Sequence, residues 1–114
     1  MTLDEYIKQM QDDSEEWFPG EDPLIVWTLG LCGEAGEVAD IVKKVQRGSK
    51  ALDEAIPLLH EELIDVFHYW CLLIGLLGVD VETVYKRKRE FNSVRFSHQQ
   101  PTTGVPVDDR TTED

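Results

Sequence analysis

From Pro23 to Arg47 the chain runs without an interior proline, between a strong helix start and a strong stop. Asp22 can cap a first turn, and Pro23 can occupy the first helical position, where its missing N–H costs nothing. Gly48 offers the left-handed residue on which helices end, and Lys43, Lys44 and Arg47 place positive charge at the negative end of the dipole. The spacing therefore predicts one helix of roughly 25 residues, about 37 Å long at 1.5 Å per residue. A helix of that length needs partners for its apolar side chains, among them Leu24, Ile25, Val26, Trp27, Leu29, Leu31, Ile41, Val42 and Val45. With 114 residues the chain can build one such core and not two.

The rest of the chain reads in the same way. No stretch alternates with period two for long, and β-branched residues are scattered, so strands are not expected. A first helix is predicted from Thr2 or Leu3 to Glu16, with Leu3, Tyr6, Ile7 and Met10 on one face and a break at Trp17-Phe18-Pro19-Gly20. A third is predicted between Pro57 and Leu77, closed by Gly78, with a short helical lead-in over 51–56. A fourth starts after Asp80 and runs to Arg95 or Phe96. The expected fold is all-α: a four-helix bundle over residues 1–96, followed by a flexible tail over 97–114 that is rich in Pro, Thr, Gln and Asp.

A formal net charge of −12 argues against a surface that binds a nucleic-acid polymer or an anionic membrane. The apolar run Trp70–Val79 is too short to span a bilayer. Cys32 and Cys71 form no CxxC or zinc spacing and read as two buried free thiols. No signal-peptide pattern opens the sequence, and a soluble cytoplasmic protein is expected.

One feature resists this reading. The segment GEAGEVAD, residues 33–40, sets Glu34 and Glu37 inside the apolar run of the long helix. A carboxylate on a core-facing stripe costs several kcal/mol unless something compensates. The two are spaced i, i+3 and share a helix face. Glu62 and Asp65 repeat that spacing on the third helix, among Leu58, Leu59, Leu63, Ile64, Val66, Phe67 and Tyr69. If the two stretches face each other, four carboxylates converge and need a cation. An all-oxygen donor set suits Mg²⁺, with Mn²⁺ as a substitute. A solvated acidic face is the competing reading of either pair taken alone.

The segment YKRKREFNSVRF, residues 85–96, reverses the sign of the charge. Lys88, Asn92 and Arg95 fall at i, i+4, i+7 on one face, which could hold a phosphate against the metal. A basic helix end favoured by the dipole is the other reading. His68 follows Asp65 at i+3 and reads as a packing residue or carboxylate partner more than as a ligand. His60 and His98 read as surface and tail residues. Asp40, at i+3 from Glu37, either extends the acidic surface or lies on a solvated flank.

In this order the motifs resemble those of the all-α NTP pyrophosphatases, the MazG-type nucleotide pyrophosphohydrolases. The small single-domain members, including the dCTP pyrophosphatase branch, are the most similar. The resembling residues are Glu34-Ala35-Gly36-Glu37, Glu62-Leu63-Ile64-Asp65, and Lys88, Asn92, Arg95 and Phe96. The resemblance implies a homodimer or homotetramer (a dimer of dimers), with the site built partly at a subunit interface. It implies Mg²⁺ on Glu34, Glu37, Glu62 and Asp65. It implies cleavage of a nucleoside triphosphate between the α and β phosphates, in the service of nucleotide-pool housekeeping. Lys88, Asn92 and Arg95 would contact phosphate or sugar, and Trp17 and Phe18 would lie near the base. Attack by water on phosphorus independently calls for a carboxylate to take the water's proton, and Glu37 or Glu34 is the candidate. A carboxylate-bridged di-iron bundle fits poorly, because it needs two E-x-x-H pairs. A metal-binding helical oligomerisation or regulatory module without catalysis is the non-enzymatic alternative.

Overall fold

The computed structural model describes residues 1–97, and they are all-α, with four helices and no strand among them. The expected tail, apart from Ser97, lies outside the described residues, as does His98. Helix α1 (Leu3–Trp17) opens on a capping box: the Glu5 N–H donates to the Thr2 hydroxyl at 3.2 Å, and the Thr2 N–H donates to the Glu5 carboxylate at 3.3 Å. Helix α2 (Pro23–Gln46) starts where Asp22 accepts from the Ile25 N–H at 3.2 Å. Gly48, one residue beyond the Arg47 cap, takes the left-handed conformation with φ 78°.

Helix α3 (Leu52–Leu77) differs from expectation. The predicted lead-in and main helix are one continuous element, with Pro57 inside it. Proline's φ suits a helix, and the hydrogen bond it forfeits is the one to the Asp53 carbonyl. Both residues are exposed, so water can serve that carbonyl. Gly78, at φ 63°, ends the helix. Helix α4 (Val81–Phe96) starts on Asp80, whose carboxylate accepts from the Thr83 N–H at 3.1 Å.

The chain divides into two compact units, Met1–Val79 and a second beginning at Asp80. In the first, α2 and α1 both pack against α3. Ile41, Ala55, Cys71 and Leu72 form its buried centre. On the α1 side, the Tyr6 ring meets the Phe67 ring edge-on at 5.4 Å. Cys71 is buried as expected, but Cys32 is exposed. Its place in an apolar run does not bury it, because its face of α2 has no helix of this unit against it.

Two glycines let the helices close. A Cβ placed on Gly30 of α2 would run into the Tyr69 ring of α3, and one on Gly75 of α3 would meet Ile7 Cγ2 of α1 at 2.8 Å. Among the described residues no single helix is long and apolar enough to cross a membrane.

Candidate metal centre

The side chains of Glu34, on α2, and of Glu62 and Asp65, on α3, each bring a carboxylate oxygen within 4.8 Å of the other two. Helix α2 aligns them by its register against α3. Gly30 lies against Tyr69 and Glu34 against Asp65, so four residues forward on α2 match four residues back on α3. The helices are therefore antiparallel, and the two acidic motifs arrive at one level. Glu34 and Glu62 are half-buried, and Asp65 is exposed.

Ionised together, these groups repel. Burial pushes the Glu34 carboxyl above its ordinary value of 4.5, and a hydrogen bond shared with Glu62 and the charges of Asp65, Glu62 and Glu37 push in the same direction. Glu62 Oε2 is buried and has no hydrogen-bond partner. With the acids ionised, a bound cation would satisfy that oxygen. The donor set fits a hard divalent ion such as Mg²⁺ or Mn²⁺: carboxylate oxygens only, with no cysteine among them.

A raised carboxyl pKa has a definite consequence. Without metal, the folded chain binds its Glu34 proton more tightly than the unfolded chain does. The associated stability is fully present below about pH 4.5 and is lost as pH rises through the higher folded value. Thermal unfolding followed across this range is expected to show that loss, and either Mg²⁺ or the substitution Glu34→Gln to remove it. A profile unchanged by both would mean that the acids do not interact.

Of the other expected site residues, Glu37 is exposed, one turn along α2, and stands outside the three-oxygen group while still adding its charge to Glu34. Asp40 pairs with Lys44 at 2.9 Å, which lowers its pKa and ties it to the helix surface. His68 is half-buried with its ring edge-on to Tyr69 at 5.3 Å. Burial lowers its pKa against the opposing charges of Asp13 and Asp65, and it is not among the converging ligands. His60 is exposed.

On α4, Lys88 and Asn92 line one shallow depression of about 480 Å³ together with Tyr85 and Phe96. Lys88 Nζ lies 5.3 Å from the centre of the Phe91 ring, and the Arg95 guanidinium lies 4.8 Å from that of Phe96.

A larger cleft of about 560 Å³ lies between the C-terminal half of α1, the turn after it and the start of α2. Phe18 and Trp27 line it; Trp17, exposed at the end of α1, does not. In sequence Trp27 is only one of the apolar residues of the long helix. Its spacing of i, i+7 before Glu34 puts both on one face of α2, and that was the available signal.

Comparison with known proteins yields no match: no family model, no curated protein and no solved structure matches the chain.

Proposed function

We propose that the protein is a Mg²⁺-dependent nucleoside triphosphate pyrophosphohydrolase of the MazG type. The observation that carries this reading is the convergence of Glu34, Glu62 and Asp65, of which Glu62 has a buried carboxylate oxygen without a hydrogen-bond partner. In the reaction, water adds across the bond between the α phosphorus and the oxygen bridging it to the β phosphorus, and the products are a nucleoside monophosphate and pyrophosphate. The divalent ion, when bound, neutralises phosphate charge and lowers the pKa of bound water.

The chain's own groups divide the remaining work. Glu34, Glu62 and Asp65 hold the ion. Glu37, exposed one turn away and outside that group, is the carboxylate assigned to take the water's proton. Lys88, Asn92 and Arg95 are assigned to the phosphates or sugar, as cationic and amide donors suit phosphate oxygens.

The proposed assembly is a homodimer or a dimer of dimers, in which paired protomers complete a four-helix bundle. Ile25 and Leu29 on α2 and Ile56 and Leu63 on α3 are exposed in the single chain, more apolar surface than two central helices ordinarily leave in water.

The test is incubation of the protein with ribo- and deoxynucleoside triphosphates, with Mg²⁺ and with EDTA, and with pyrophosphate resolved from orthophosphate. Monophosphate and pyrophosphate in Mg²⁺, absent in EDTA, are expected. No cleavage with either Mg²⁺ or Mn²⁺ would replace this reading with that of a metal-binding helical oligomerisation module.

A further inference from the structure

We propose that the groove on α4 docks an acidic segment of the same chain, residues 105–109, and that this segment competes there with the phosphates of the substrate. The competition rests on the pyrophosphohydrolase reading; the docking does not.

No residue of α4 is buried among the described residues. Its groove, about 480 Å³, is lined by the rings of Tyr85 and Phe96 and by Lys88, Arg89, Asn92 and Ser93. Tyr85 is 61% exposed. Lys86 is held by Glu82 at 2.8 Å, but Lys88 and Arg89 form no ion pair among the described residues. Two cations beside two aromatic rings call for a partner that is anionic and apolar at once.

Residues 105–109 lie outside the described residues and read Val-Pro-Val-Asp-Asp, which joins those two properties in one short stretch. Asp108 and Asp109 supply charge for Lys88 and Arg89, and Asn92 and Ser93 add an amide and a hydroxyl donor. Val105 and Val107 flank Pro106, and the fixed φ of a proline lowers the entropy lost when such a stretch docks on aromatic rings.

The chain is long enough. Asp108 lies 12 residues beyond Phe96 in sequence, a span of up to about 40 Å. From Phe96 back to Tyr85 the helix covers only about 16 Å. A segment tethered so closely meets the groove at an effective concentration on the order of millimolar, so weak contacts suffice to populate the docked state. Carboxylate and phosphate oxygens seek the same donors, and the docked segment therefore excludes a phosphate from Lys88 and Asn92.

The test uses the full chain. A carbodiimide couples an amine to a carboxylate in contact with it, and proteolysis with mass spectrometry locates the link. Coupling of Lys88 to Asp108 or Asp109 is expected at low ionic strength, and its loss at about 0.5 M NaCl. In a mixture of ¹⁵N-labelled and unlabelled chains, the linked residues should come from one chain. Asp108→Asn combined with Asp109→Asn is expected to lower KM for the triphosphate about 3-fold without changing kcat, the factor by which a segment docked two-thirds of the time obstructs the site. Glu113→Gln combined with Asp114→Asn removes as much charge outside 105–109 and should leave KM unchanged. No link to 105–109, links only to acids of 1–79 or of another chain, a KM indifferent to the first pair, or an equal fall with the second pair overturns the proposal. A link within one chain without cleavage of any triphosphate would remove the hydrolase reading and leave the docking surface standing.

Discussion

Asp65→Asn is expected to lower pyrophosphate release by more than about 100-fold, because it removes one charged ligand of three from the ion that the reaction depends on. The helical circular dichroism signal should not change. Asp65 is exposed, so the substitution buries no new group and opens no cavity in the core. Calorimetric titration with Mg²⁺ should show the same loss as the assay. Glu37→Gln is also expected to lose turnover, but it should retain most of the Mg²⁺ affinity, because Glu37 lies outside the three converging oxygens. Turnover that survives both substitutions would mean that the acidic group is not the catalytic centre.

The second large effect concerns stability. Gly30→Val places a branched side chain where the Tyr69 ring already lies, and the ring cannot give way without leaving α3's packing against α2. Overpacking of this kind costs about 1–3 kcal/mol or more, a large part of the roughly 5–15 kcal/mol that holds a domain together. A clear fall in the thermal midpoint is expected. Gly36→Ala is the contrasting substitution, since a Cβ there meets nothing within 4 Å of it in the chain. By helix propensity alone it should stabilise by up to about 1 kcal/mol. Equal effects at the two positions would show that Gly30 is not a close-packed point. Destabilisation at Gly36 would show that another surface covers that face of α2, as the proposed second copy requires.

Much of the local architecture was legible before any coordinates. Asp22 and Asp80 announce two helix starts because a short polar side chain can accept from an N–H that the helix cannot satisfy. Gly48 and Gly78 announce stops because a residue without Cβ adopts positive φ at no steric cost. Pro57 misled, since a proline in the second turn looks like a beginning and yet is tolerated where its orphaned carbonyl is exposed. Cys32 misled because an apolar neighbourhood in sequence is not burial in space.

For the candidate site, the two acidic pairs and their shared helix faces follow from spacing alone, as 3.6 residues per turn dictates. Periodicity carries no information about how far one helix slides along another. It therefore could not say that Glu34 meets Glu62 and Asp65 while Glu37 stands apart, nor that Trp27, rather than Trp17, lines the cleft. Those relations depend on the antiparallel register of α2 and α3. That register was decided only in the folded chain, by contacts such as the Tyr69 ring against the bare backbone of Gly30.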